Sequence, residues 1–206
     1  MRVAILGGTF DPVHNGHLAL ARSVARTFAI DEFHFVPAFA PPHKPAKGIT
    51  SPFHRFAMVA LATMSEDRFQ VSTVETDMLG PRYSVETLEV MRQELPAASF
   101  VFIIGTDMYQ EIEDWKEHER LFDLATVAVV YRPGFPMRED LRAFETLSAE
   151  SRPALGPNPG VYYLPWVQND VSSTEVRETA ASGGDTGQWV PDPVAAYIRK
   201  HRLYQT

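Results

Sequence analysis

The stretch that decides the fold is Ile5–Leu20, ILGGTFDPVHNGHLAL. An apolar run ends at Gly7 and Gly8, a Thr9-Phe10-Asp11-Pro12 turn follows, and a second apolar run opens at helical spacing. His14 and His17 stand where the strand hands over to the helix. Glycines there let the backbone approach a ligand with no Cβ in the way. The helix beginning near Asn15–His17 offers unpaired N–H groups and the positive end of its dipole, a combination that favours phosphate. An imidazole N–H aimed at the same anion donates a hydrogen bond and can carry positive charge while a bond breaks. Neither the G-x-G-x-x-G fingerprint nor the P-loop spacing is present. Two histidines three apart, with only Asp11 close by, make a poor zinc site. Spacing alone leaves a phosphate site and an idle strand-turn-helix with two surface histidines equally open.

Working outward, apolar and amphipathic stretches alternate along the chain. Strands are predicted over 2–7, 33–37, 69–75, 99–105, 126–131 and 161–165. Helices are predicted over 17–28, 52–65, 84–95, 137–148 and 193–203. The first carries Leu18, Ala21, Val24, Ala25 and Phe28 on one face, the second Phe53, Phe56, Ala57, Ala60, Leu61 and Met64. Ser84 reads as an N-cap, and so does Asp192, with Pro193 at the first helical position. Continuous apolar strands between helices indicate an α/β fold, a Rossmann-like doubly wound parallel sheet of five to six strands with helices on both faces. Ligands of such sheets collect at the carboxyl ends of strands near the switch in strand order, which points at the opening stretch and at Gly105-Thr106-Asp107. Pro-rich loops fall at 37–52 and 148–160, and strand-type segments resume after each, so one domain over 1–206 is expected.

The totals agree. The chain has 206 residues, 45% hydrophobic and 22% charged, enough for one core and too ordered in composition for disorder. There is no cysteine, which removes disulfides, thiolate metal sites and a Cys nucleophile. No signal peptide or membrane span is read, and a cytoplasmic location is expected. The formal net charge of −7 argues against a general nucleic-acid binder. Any cations serving an anionic ligand must therefore be gathered locally.

Val171–Arg177, VSSTEVR, pairs Ser172 with Glu175 as a capping box and so starts another helix. Arg177 then lies near a positive helix end, where an anion would resolve the conflict and an exposed surface pair is the ordinary alternative. PPHKP (41–45) puts His43 and Lys44 in a proline-stiffened loop; RYSVETL (82–88) puts Tyr83 and Ser84 at a helix start. FIIGTDMYQEIEDW (102–115) ends a buried strand and closes on Trp115, whose indole needs some partner surface, the edge of the core included.

GGTFDPVHNGH resembles the signature of the nucleotidyltransferase superfamily, with His14-Asn15-Gly16-His17 as its H-x-G-H element. The longer form, with VSSTEVR, PPHKP, RYSVETL, the GTD turn and VVYRPG (129–134), resembles the bacterial nicotinate-mononucleotide adenylyltransferase family. The motifs span residues 5 to 177. The resemblance implies adenylyl transfer from ATP to nicotinate mononucleotide, with His14, His17 and Arg177 catalytic. It implies ATP contacts from Gly7, Gly8, Thr9, Phe10, Gly16, Gly105, Asp107, Arg132, Ser172, Ser173 and Thr174. It implies that Tyr83, Ser84 and Trp115 meet the nicotinate end and that Lys44 meets a phosphate. Mg²⁺ is expected to arrive with ATP, held by substrate and water rather than by a protein carboxylate cluster. A helix N-terminus at Ser84 favours a carboxylate over an amide. A homo-oligomer stays open. Two rivals remain: a related adenylyl- or cytidylyltransferase, such as phosphopantetheine adenylyltransferase, and a non-catalytic nucleotide sensor on the same fold.

Overall fold

A computed structural model describes residues 1–39, 48–76, 83–156, 159–167 and 171–205. Strand β1 (Arg2–Gly8) runs into helix α1 (Asn15–Thr27), then β2 (Glu32–Pro37), α2 (Pro52–Thr63), β3 (Phe69–Val71) and α3 (Ser84–Glu94). β4 (Ser99–Gly105) leads into the short α4 (Thr106–Gln110), a 3₁₀ turn at Ile112–Asp114, α5 (His118–Leu124) and β5 (Thr126–Val130). β6 (Glu145–Thr146), β7 (Val161–Leu164), α6 (Ser173–Ala181) and α7 (Asp192–His201) complete the chain.

The seven strands form one sheet in the order β3-β2-β1-β4-β5-β7-β6, and every neighbouring pair is parallel. Period-2 alternation splits the core. Ala4, Leu6, Val101 and Ile103 join the core on one face with α1, α2, α6 and α7. Val3, Ile5, Phe100, Phe102 and Ile104 join the core on the other face with α3 and α5. Both faces being covered explains why the strands read as unbroken apolar runs. The order reverses between β1 and β4, so the switch point lies at Gly8 and Gly105.

The doubly wound architecture matches the expectation, with a seventh strand added. That strand, β6, falls where a helix over 137–148 was expected. Arg138 fastens this segment alongside α4, donating to the Gln110 carbonyl at 3.1 Å and pairing with Glu113 and Asp140. Glu145 and Thr146 then pair with β7. β3 stops at Val71, short of 75, because Thr76 N–H turns back onto the Thr73 carbonyl. The N-caps shift by one residue, to Tyr83 for α3 and Pro191 for α7. α1 buries the expected face, but α2 does not. It buries Arg55, Met58, Val59, Ala62 and Thr63, leaving Phe53 and Met64 each 76% exposed. The cause is Arg55, wholly buried, whose guanidinium donates to the carbonyls of Thr9 (2.6 Å), Thr50 (2.9 Å) and Phe39 (3.0 Å). Counting apolar residues misses an arginine that is buried because its donors are satisfied. Among the described residues, no helix is long and apolar enough to cross a membrane.

Candidate active site

At the end of β1 the two glycines do different work. A Cβ on Gly7 would meet nothing within 4 Å, so its backbone faces open space. A Cβ on Gly8 would meet the Phe10 ring at 3.0 Å. Phe10 is buried and touches His17 edge-on, ring centroids 5.0 Å apart. His14 is the N-cap of α1 and His17 stands three residues on, so their rings stack at 3.7 Å. His17 Nδ1 accepts the His14 N–H at 3.2 Å, which places the proton of the neutral ring on Nε2. His14 Nδ1 is buried with no partner among the described residues.

The helix end itself is less open than its sequence suggests. Asn15 N–H, the first of α1, donates to the Trp189 carbonyl at 2.7 Å. Gly16, the second residue of α1, is buried.

Both imidazoles are held neutral. Burial first, then the nearby Arg132 guanidinium, lower His14 from 6.5 to about 4, while Glu175 works weakly against them. His17 lies well below 6.5 through burial, the adjacent His14 and Arg132. Arg132, from the turn after β5, therefore faces the histidines across the switch point. Its backbone N–H donates to the buried Thr106 hydroxyl at 2.9 Å, and its Nε lies 3.3 Å from Asp107 Oδ2. Asp107 Oδ1 is buried without a partner among the described residues and folds back over Gly105. A Cβ on Gly105 would stand 2.2 Å from it.

From the far end of the chain, α6 starts at the expected capping box, Ser172 and Glu175. Ser173 Oγ donates to the Pro12 carbonyl at 2.9 Å, and Arg177 Nη1 to the Asp11 carbonyl at 2.8 Å. Arg177 Nη2 also reaches Thr174 Oγ1 at 3.1 Å. The arginine is thus no surface pair but is fastened to the turn that carries His14. Tyr83 caps α3, Ser84 is its first residue, and Trp115 directly follows the 3₁₀ turn. Lys116 sits 4.9 Å above the Tyr83 ring and 2.7 Å from Glu86, and Trp115 meets Phe102 edge-on. Glu86, in the first turn of α3, already offers a carboxylate to that helix end, so Lys116 is the cation beside Tyr83. Lys44 lies outside the described residues.

The sequence assigned no role to Arg55 or Tyr204, while Asp11 stood only as a carboxylate close to the histidines and Thr106 only as part of the turn after β4. Only Arg55 left a signal, a charged residue within an otherwise apolar helix. Among the described residues no group of three or more His, Asp or Glu side chains could hold a metal ion.

The cytidylyltransferase-like family matches residues 5–179 of the chain. A probable nicotinate-nucleotide adenylyltransferase of Geobacter metallireducens is 40% identical over 213 residues, covering 99% of this chain and 98% of that one. One of the same printed name from Symbiobacterium thermophilum is 41% identical, covering 98% and 95%. Among solved structures, the Plasmodium falciparum nicotinic acid mononucleotide adenylyltransferase complexed with NaAD superposes with a TM-score of 0.75. It is 20% identical and covers 98% of this chain and 97% of that one, a likeness of fold.

Proposed function

The chain belongs to the cytidylyltransferase-like family, and on that premise we propose that it transfers the adenylyl group of ATP to nicotinate mononucleotide. The products are nicotinate adenine dinucleotide and pyrophosphate, a step of NAD biosynthesis. The names of the full-length relatives support this reading. The observation that carries it is convergence. Two stacked imidazoles at the end of β1 and a guanidinium from α6 meet on one turn at the switch point.

The nucleophile is the ionised phosphate of the mononucleotide. Its oxygen attacks the α-phosphorus of ATP in line. The new O–Pα bond forms as the bond from Pα to the bridging oxygen breaks, and the electron pair leaves with pyrophosphate. No protein group need become covalently attached, so catalysis rests on positioning and charge. His14 and His17 offer N–H donors to the α- and β-phosphates. Protonation of an imidazole, unfavourable in the buried free site, becomes favourable beside a polyanion. Arg177 and Arg132 add fixed positive charge against a net-acidic chain. The open backbone at Gly7 and Gly16 N–H accommodate phosphate oxygens; Asp107 takes a ribose hydroxyl, and Thr9, Phe10, Ser172, Ser173 and Thr174 shape the ATP side. A Mg²⁺ ion arriving with ATP would supply charge neutralisation there. Tyr83, Ser84 and Trp115 receive the pyridine ring, where stacking is worth about 1–3 kcal/mol by analogy with bases, and Lys44 receives a phosphate.

Pyrophosphate release from ATP with nicotinate mononucleotide, nicotinamide mononucleotide or phosphopantetheine tests the reading. Fast release with the first is expected. Release only with phosphopantetheine would reassign the enzyme, and ATP binding without release would make it a sensor.

A further inference from the structure

Asp11 ties together four distant parts of the chain. It is 5% exposed and stands three residues ahead of His14. Its backbone carbonyl accepts from Arg177 at 2.8 Å. Its Oδ2 accepts the Thr50 N–H at 3.2 Å and its Oδ1 accepts the Tyr204 hydroxyl at 2.9 Å. The buried Arg55 guanidinium faces this carboxylate and donates to the carbonyl of Thr9, two residues earlier. Both carboxylate oxygens are engaged inside the protein, so Asp11 is built to hold the turn.

The tyrosine that holds it comes from the other end of the chain. After α7 the backbone passes through Arg202 (φ 50°) and Tyr204 (φ 68°), both left-handed and neither glycine. Residues keep such conformations where surrounding contacts over-determine them. Here Leu203 and Tyr204 pack against the core, and the reversal aims the Tyr204 hydroxyl at Asp11.

We propose that Tyr204, acting through Asp11, is a positioning residue for adenylyl transfer, holding the turn between β1 and α1 so that His14 and Arg177 meet the same phosphates. The inference rests on the reaction proposed above. It is more than a stability contact because the turn carries one charge-stabilising group, and its carbonyl anchors another. A displacement of the turn moves both at once, and misplacement of about 1 Å can cost about 100-fold in rate.

Tyr204→Phe keeps the ring and its packing and removes one hydroxyl. kcat is expected to fall on the order of 10-fold, with KM for the mononucleotide within about twofold of wild type. Asp11→Ala should lower kcat at least as far, and Tyr204→Phe added to Asp11→Ala should cost little more, since both remove one contact. The imidazole ¹⁵N resonances of His14 and His17, recorded without substrates, should shift in Tyr204→Phe. A lower melting temperature with unchanged kcat and unchanged resonances would mean a purely structural contact and overturn the proposal, as would additive losses in the double variant. Should the wild-type chain make no dinucleotide, the proposed reaction fails, and the resonances still decide whether Tyr204 positions the histidines.

Discussion

Acidification should expose the cost of burying His14. Its ring is 2% exposed and binds a proton only near pH 4 in the folded chain, against 6.5 ordinarily. The folded value is the depressed one, so the contribution is fully present above pH 6.5 and is lost as pH falls through the window toward 4. At about 1.4 kcal/mol per pH unit, the loss approaches about 3 kcal/mol at the bottom of that window. That is a large part of the ~5–15 kcal/mol that holds a typical domain together. The perturbation that isolates it is His14→Asn, because asparagine is among the best N-cap residues and keeps the start of α1. Urea unfolding measured from pH 7.5 to pH 4 gives both stability curves. Wild type should lose stability faster than the variant below pH 6.5, the gap widening by about 3 kcal/mol. Parallel curves would refute the argument, for they would mean that His14 protonates as easily in the folded chain as in the unfolded one.

Other outcomes follow from the same geometry. Gly105→Ala puts a Cβ 2.2 Å from Asp107 Oδ1, so the carboxylate must swing off Arg132; KM for ATP should rise on the order of 10-fold, and an unchanged KM would separate that pair from ATP binding. His17→Ala should cost on the order of 100-fold or more in kcat, read as pyrophosphate release, and a loss of only a few-fold would remove its charge-stabilising role. kcat/KM should favour nicotinate over nicotinamide mononucleotide, and Lys116→Ala should narrow the gap; equal values in wild type would mean that neither Lys116 nor the start of α3 reads the carboxylate.

Local signals carried much of this protein. The glycine pair, the H-x-G-H element and the capping box at Ser172 are short-range patterns, and the structure puts a strand end, a helix start and a second helix start where they say. The strands were legible because both faces are covered, which makes Val3–Leu6 and Val101–Ile104 continuous apolar runs. What failed was whatever another part of the chain decides. Residues 137–148 have helical spacing, yet Arg138 binds α4 and the 3₁₀ turn, and two residues extend the sheet instead. The face of α2 was misjudged because Arg55 is satisfied by carbonyls at residues 9, 39 and 50.

The sequence by itself determined the alternation of elements, and with it the parallel sheet and the switch point where a phosphate site belongs. Only the tertiary structure decided that His14 would be buried neutral, that Arg177 would bind the Asp11 carbonyl, and that Tyr204 would reach Asp11 across 193 residues. Periodicity and capping depend on neighbours within one or two turns and are written locally. Proton affinity and side-chain pairing depend on which surfaces meet and how much water they exclude, and that is set when the whole chain closes.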